Sequence, residues 1–478
     1  MGSVLLLCAV FVPIAGSFLL PLAGMKSKSL RNGLALVLVL ASFGASAALL
    51  PDVLSGSVVS LRAELPLGLS FSLMADGLAV FMALVSSFVA AVIVLYSMSY
   101  VSHYEHQNEY YLMVVLFIGA MMGLVYSTNL IYLYLFWEIS AVACWRLIGF
   151  FREKEYVLRA DKAMLITVAG ALVMLLGFVM IYTQYGTFDL KELRGKAISD
   201  WAVVLILFGI LSKSATLPLH TWLPDAGVAP SPVTSLLHAA VLVKIGVYAF
   251  ARLFLNTFVL PDVWHTVVPV IAAASALVSA GAAIVETDIK RIVAYSTVSQ
   301  LAFILLGLAS GSKMGAAGGL LYIMMHSLAK GGLFLCAGIV EQKTHTKDVR
   351  KLGGLVRTMP VTAAAFAICA FSVMGLPPLG GFFAKYMVIN GAVEAGQSWM
   401  AAVFVLGAVL TVIYLLRVFA LVFMGEYKGG QEPPREGSRT MVASVVALAA
   451  LSILAGVFIV FPSNFTAQIV DGMAVMLK

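Results

Sequence analysis

The chain has 478 residues, of which 62% are hydrophobic and only 11% charged, with a mean hydropathy of +1.02. A soluble domain runs about 45–50% apolar and about 25% charged, so this chain lacks the polar surface a soluble enzyme needs. Its net charge of +7 does not imply nucleic acid, because the basic residues are distributed by loop side and form no patch.

A helix crossing the roughly 30 Å hydrocarbon core needs about 20 apolar residues. Fourteen such stretches follow one another, centred near residues 12, 41, 87, 118, 138, 172, 207, 243, 274, 300, 326, 372, 412 and 451. They are too long and unbroken for an outer-membrane barrel, and the loops between them are too short for a separate catalytic domain. The expected fold is therefore an all-α polytopic membrane protein with about 14 transmembrane helices. The first stretch, residues 5–22, has no basic segment before it and no small-residue cleavage site. It reads as a retained helix and not as a signal peptide. Cys8, Cys144, Cys336 and Cys369 lie inside apolar runs without CxxC spacing, which fits small packing residues better than zinc or iron–sulfur ligands.

With fourteen helices the loops alternate sides. The loops after stretches 1, 3, 5, 9, 11 and 13 hold 17 of the 30 basic residues, against 7 on the other side. The positive-inside rule makes the richer side cytoplasmic and puts both termini outside. The remaining six, Arg146, Lys213, Lys244, Lys330, Lys385 and Arg417, fall within membrane stretches, where the one deep acid is Glu138. A charge there costs at least about 2.5–3.5 kcal/mol, so each is a functional candidate. Arg146, near a helix end, and Arg417, within reach of an interface, also fit snorkelling anchors. Lys213, Lys244 and Lys385 sit in long apolar runs and do not. His326 and Lys330 stand at i and i+4, one turn apart on one face, and His238 shares the eighth stretch with Lys244. No second ligand stands at metal-binding spacing beside these histidines, so neither metal nor cofactor is expected in this chain.

Two stretches are interrupted. In the seventh, Pro218 follows Lys213 closely and lacks the N–H that would bond to the Ser214 carbonyl. In the twelfth, Pro377, Pro378, Gly380 and Gly381 precede Lys385. Non-helical backbone at membrane depth is tolerated only where protein buries it or water lines it. Two broken stretches five apart, each bearing a lysine, point to two inverted five-helix repeats, helices 4–8 and 9–13. The expected organisation is residues 1–109 for helices 1–3, 110–255 and 263–425 for the repeats, and 440–478 for helix 14.

Several long motifs occur in order: LFWEIS at 135–140, HTWLPDA at 220–226, APSPVTSLLHAAVLVK at 229–244, TDIKRIVAYSTVSQ at 287–300, and residues 326–338. With these motifs the chain resembles the antiporter-like subunits shared by respiratory complex I, energy-converting membrane hydrogenases and Mrp-type cation/proton antiporters. The resemblance covers about helices 3 to 13. It implies that Glu138 is the family's helix-5 glutamate, Lys213 and Lys244 its helix-7 and helix-8 lysines, His326 and Lys330 its helix-11 pair, and Lys385 its terminal helix-12 residue. Some complex I members carry glutamate at that last position, whereas this chain has lysine. Arg146 matches no family position. The resemblance leads us to expect no long lateral helix of the kind found on the largest complex I member.

A proton relay through Glu138, the lysines and His326 follows, with water between lysines too far apart to touch. Two unit charges 4 Å apart interact by about 4 kcal/mol at an effective dielectric near 20. Lys213 would hold its proton while Glu138 is close and pass it on toward Lys244, Lys330 and Lys385 when Glu138 swings away. One buried carboxylate among several lysines suits H⁺ better than Na⁺, although Asp76 and Asp225 at helix ends keep the sodium alternative open. The wording around HTWLPDA sets the chain nearer redox-driven members than Mrp subunits. The leading expectation is thus a proton-translocating subunit of a redox-driven complex in a prokaryotic inner membrane, and the alternative is a Mrp-type Na⁺/H⁺ antiporter subunit. Its partners would be the lipid bilayer, other membrane subunits and a peripheral redox arm carrying Fe–S clusters with NiFe or flavin, with no nucleic acid.

Overall fold

The computed structural model describes residues 2–64, 70–429 and 434–473; Lys478 and the far end of the expected 440–478 segment lie outside them. Helices α1 (Gly2–Ser17), α2 (Leu20–Lys26), α3 (Lys28–Ala48) and α4 (Leu50–Leu54) precede the antiparallel strands β1 (Val59–Glu64) and β2 (Ser70–Ala75). Next come α5 (Gly77–Tyr100), α6 (Gln107–Tyr126), α7 (Leu130–Ile148), α8 (Lys154–Tyr185) and the short α9 (Leu190–Leu193). Strand β3 (Lys196–Ala197) leads into α10 (Asp200–Lys213), followed by α11 (Trp222–Asp225), α12 (Ser231–Ser235), α13 (Leu242–Phe250) and β4 (Phe258–Val259), which pairs with β3 in parallel. The remainder is α14 (Trp264–Val285), α15 (Ile289–Ala309), α16 (Lys313–Thr344), α17 (Pro360–Met374), α18 (Gly380–Glu394), α19 (Ser398–Phe423), α20 (Arg439–Val457) and α21 (Val460–Gly472).

Among the described residues, eleven helical stretches are long and apolar enough to cross a membrane, or twelve if α1 and α2, bent by 49°, make one span. The chain is a multi-pass membrane protein. The two apolar stretches that fall short of a full span are those with proline–glycine breaks. The seventh contributes only the 14-residue α10, and the twelfth is split into the 15-residue helices α17 and α18. In lipid a helix satisfies its own backbone, and side chains finish its ends. Asn129 caps α7 by accepting from Ile131 N at 2.9 Å, Ser199 caps α10 through Ala202 N at 3.3 Å, and Asp288 caps α15 through Lys290 N at 2.8 Å.

The chain divides into two compact units, Met1–Val94 with Ser102–Ser214 and Ala240–Pro261, and Leu95–Val101 with Ala215–Ala239 and Asp262–Lys478. In the first, α10 is gripped by small residues. A Cβ on Gly170 of α8 would collide with Ser212 Oγ. One on Gly246 of α13 would stand 2.7 Å from the Ile210 carbonyl oxygen and 2.8 Å from Ser214 N. Lipid tails are as apolar as leucine, so close backbone approach holds membrane helices together. Along α8, Leu158, Leu165, Leu172 and Leu176 form an exposed stripe at helical spacing, an apolar face suited to lipid or another chain. In the second unit, α16 is buried along nearly its whole length and packs against α15, α17, α18 and α20. Here a Cβ on Gly318 would lie 2.7 Å from Met387 Cβ of α18.

The Gly246 contact gives a direct test. Replacing Gly246 by Val forces α13 off α10, at a cost of about 1–3 kcal/mol of overpacking. A lowered melting temperature of the detergent-solubilised protein is the expected result, and an unchanged one would refute the tight seam.

Candidate functional site

In the first unit Lys213 is the last residue of α10 and is fully buried. Its Nζ donates to the Trp137 carbonyl of α7 at 3.2 Å and lies 5.4 Å from the centroid of the Trp137 ring. That carbonyl also accepts from Ser140 Oγ at 2.6 Å. Glu138 is the next residue of α7, partly buried, and hydrogen-bonds with the Tyr134 hydroxyl one turn earlier. No ion pair within 4.0 Å joins Glu138 to Lys213 among the described residues. Lys213 is thus held by a carbonyl dipole and an indole face, both favourable to an ammonium. Lys244 is fully buried near the start of α13. Ahead of it the backbone makes a π-helical turn at Leu236–Ala240, a feature frequent at functional sites. Because α13 meets α10 at Gly246, one helix contact positions both lysines.

In the second unit His238, in that π turn, meets Phe334 in a tilted ring contact with centroids 4.4 Å apart. His326 and Lys330 are buried on α16. Lys330 Nζ donates to Ser296 Oγ at 2.6 Å and to the Val293 carbonyl at 3.1 Å. Lys385 lies in the second turn of α18, and its Nζ donates to the Val373 carbonyl at 2.7 Å. Val373 belongs to the last turn of α17, whose carbonyls have no intrahelical donor and carry partial negative charge. The ammonium supplies both the proton and the charge. Its Nζ also lies 4.5 Å from the Phe303 ring centroid. The break folds tightly because Gly375 takes φ 85° and a Cβ on Gly381 would collide with the Ser372 carbonyl.

The two arginines are ties at helix ends. Arg146 pairs with Glu109, which also binds Arg152 at 2.6 Å. Arg417 Nη1 donates to the Glu286 carbonyl at 3.0 Å, at the end of α14. Of the basic residues counted as loop charges, Lys290 and Arg252 prove to be buried beside carboxylates. Lys290 Nζ donates to the Ala229 carbonyl at 2.7 Å and pairs with Glu341 at 3.2 Å. Arg252 binds Asp76 through two contacts of 2.5 and 2.8 Å and donates from Nε to Tyr248 at 2.9 Å. Their carboxylate partners lie far away in sequence, so hydropathy could not reveal them; only the i, i+4 spacing of Tyr248 and Arg252 hinted at it. No group of three or more His, Cys, Asp or Glu side chains suited to a metal ion occurs among the described residues.

Asp76, just ahead of α5, yields a pH test. Burial alone would raise its carboxyl, but the Arg252 charge and hydrogen bonds outweigh burial and hold it below its ordinary value. A depressed acid stabilises the fold above its unfolded-state value, and that stability is lost as pH falls through the folded one. Replacing Asp76 by Asn leaves Arg252 buried without its counter-charge, a loss of about 3–5 kcal/mol. The melting-temperature gap between wild type and Asp76→Asn should be large at neutral pH and close on acidification; a gap that ignores pH would contradict the pairing.

Residues 127–411 match the family described as NADH:quinone oxidoreductase/Mrp antiporter, TM. Residues 65–111 match that described as NADH-Ubiquinone oxidoreductase (complex I), chain 5 N-terminus. The Na(+)/H(+) antiporter subunit A1 of Staphylococcus haemolyticus (strain JCSC1435) is 33% identical over 503 residues, covering 98% of this chain and 62% of that protein. The chain therefore spans about three fifths of the length of the curated relatives it matches. Among solved structures, a chain of the Mrp complex from Dietzia sp. DQ12-45-1b shares the fold with a TM-score of 0.91 at 24% identity, over 99% of this chain and 97% of that one. A chain of respiratory complex I from Thermus thermophilus with bound NADH aligns with a TM-score of 0.88 at 25% identity, over 99% and 100%. With its matched region reaching from the start of α7 into α19 and including all the buried lysines described above, the chain belongs to the NADH:quinone oxidoreductase/Mrp antiporter transmembrane family.

Proposed function

We propose that this chain is a proton-translocating membrane subunit of a multisubunit complex, with Glu138, Lys213, Lys244, His326, Lys330 and Lys385 as its relay and His238, Arg146 and Arg417 in secondary roles. The observation that carries this reading is that Lys213 and Lys385 stand at helix breaks, each held by a backbone carbonyl and aromatic faces. An ammonium held by neutral dipoles keeps its charge in an apolar interior yet gives up a proton without breaking an ion pair. Movement of Glu138 toward or away from Lys213 then changes how firmly that proton is held, at about 4 kcal/mol for 4 Å and a dielectric near 20. In this reading the seventh and twelfth stretches also cross the membrane as broken helices. That makes about 14 transmembrane helices, with 110–255 and 263–425 as inverted repeats flanked by 1–109 and 440–478. Both termini lie outside a prokaryotic inner membrane.

Two assemblies have support. A redox-driven complex, with membrane subunits and a peripheral arm whose own subunits carry Fe–S clusters and NiFe or flavin, is supported by the end-to-end likeness to a complex I chain. A Na⁺/H⁺ antiporter assembly is supported by the 33% identical subunit A1. Gentle purification of the native assembly, with mass spectrometry and metal analysis, separates them. Iron with a quinone-reducing or nickel-containing partner establishes the first, and small membrane subunits without metal the second.

Two substitutions test the relay itself, read as acidification of inverted membrane vesicles. Glu138→Gln should cut coupled proton movement by about a hundredfold or more, the low end of what a positioned acid–base group contributes, with the melting temperature unchanged. Normal pumping would sink the Glu138 switch. Lys385→Arg should be milder than Lys385→Ala, because the charge survives although a guanidinium does not release its proton; equal losses would argue against a titrating role for Lys385.

A further inference from the structure

Within the second unit a chain of buried side chains runs from Lys330 toward Lys385, through residues that the relay leaves unused. Lys330 Nζ donates to Ser296 Oγ at 2.6 Å, and Ser296 Oγ meets the Tyr414 hydroxyl at 2.7 Å. Gln300 Nε2 donates to Thr411 Oγ1 at 3.1 Å and to the Tyr414 hydroxyl at 3.4 Å. On its other edge, Gln300 Oε1 accepts from the Tyr322 hydroxyl at 2.5 Å. The Tyr322 ring centroid is 5.8 Å from Lys385 Nζ. Ser296, Gln300, Tyr322, Thr411 and Tyr414 are all fully buried. Four helices supply the row: α15 gives Ser296 and Gln300, α16 gives Tyr322 and Lys330, α19 gives Thr411 and Tyr414, and α18 gives Lys385.

The chemistry along the row is uneven. A hydroxyl both donates and accepts, so Ser296, Tyr414 and Tyr322 can each take one proton and hand on another. An amide nitrogen only donates, so no proton passes through Gln300 by exchange. The amide is also locked in orientation. Thr411 Oγ1 gives its own proton to the Gly407 carbonyl at 2.8 Å and offers Gln300 only an acceptor, while Tyr322 offers its proton. A flipped amide would set its oxygen against Thr411 Oγ1, acceptor facing acceptor, and lose that bond. Tyr322 commits its proton to Gln300 and sets its ring beside the Lys385 ammonium.

We propose that Gln300 is a positioning residue, an insulating joint that ties the Tyr414 hydroxyl, linked through Ser296 to Lys330, to Tyr322, whose ring stands beside Lys385, while blocking proton passage through its own amide along this row. The proposal rests on the relay reading above. It makes transfer along this row stepwise, requiring Tyr322 to leave Gln300 or water to bridge the gap. Replacing the amide by a carboxyl of nearly the same shape removes the insulation, because a carboxyl both accepts and donates protons.

The test uses inverted membrane vesicles holding the full assembly, with a pH-sensitive dye, and compares wild type with Gln300→Glu, Gln300→Met, Tyr322→Phe and Lys330→Ala at matched levels of assembled protein. In Gln300→Glu the passive collapse of an imposed pH gradient should speed up several-fold and the pH midpoint of coupled transport should shift. In Gln300→Met and Tyr322→Phe coupled transport should fall about tenfold, the scale of one buried hydrogen-bonding group left without its partner, again with a shifted midpoint. Wild-type leak, rate and pH midpoint in all three, alongside an inactive Lys330→Ala, would overturn the insulating joint and leave the relay standing. Normal transport in Lys330→Ala would overturn both.

Discussion

The arrangement depends on keeping an ammonium group charged in an apolar interior without a carboxylate bonded to it. Helix breaks make this possible. Where α17 stops at Gly375 its last carbonyls have no helical donors, and the Lys385 ammonium bonds to one of them. Lys213 takes the Trp137 carbonyl across a helix contact and rests over the indole of the same residue. Carboxylate-bound cations occupy other positions. Arg252 with Asp76, Lys290 with Glu341 and Arg146 with Glu109 lie at helix ends. The chain thus uses two kinds of cation. Those bonded to carboxylates act as fixed struts, because breaking such a pair strands a buried charge. Those held by carbonyls and rings, Lys213 and Lys385, have no carboxylate bonded to them among the described residues.

Fixed geometry around the second kind comes from small residues. Gly170, Gly209 and Gly246 bring α8, α10 and α13 into backbone contact around Lys213 and Lys244. Gly318 does the same between α16, which carries Lys330, and α18, which carries Lys385. Within each unit the helices that carry lysines have little room to slide, so rearrangement falls to the breaks and to the side chains themselves.

Much of this could be read from the sequence because the bilayer forces it. A span must be apolar for about 20 residues, so the stretches stand out, and Pro218, Pro377 and Pro378 mark their own interruptions. The buried lysines were visible for the same reason, each a charge in an otherwise apolar run. What escaped was whatever depends on partners far away along the chain. Lys290 and Arg252 looked like ordinary loop charges, since Glu341 and Asp76 come to them from other helices. The π turns at Leu236–Ala240 and Ala251–Leu255 leave no local signature, because they add a residue to a turn without changing its polarity. The Ser296, Gln300, Tyr322 and Tyr414 row was hidden likewise: its members are scattered over three helices, and each alone passes for a polar residue in a span.

The indole beneath Lys213 has a further consequence. A full charge 5.4 Å from the centre of the Trp137 ring perturbs the electronic transitions of that ring, and loss of the proton removes the perturbation. Trp137 is therefore a built-in optical probe of the lysine beside it. Subtracting the ultraviolet spectrum of a Trp137→Phe protein, which keeps the other five of the chain's six tryptophans, would isolate its signal and allow the charge on a single buried amine to be followed by light.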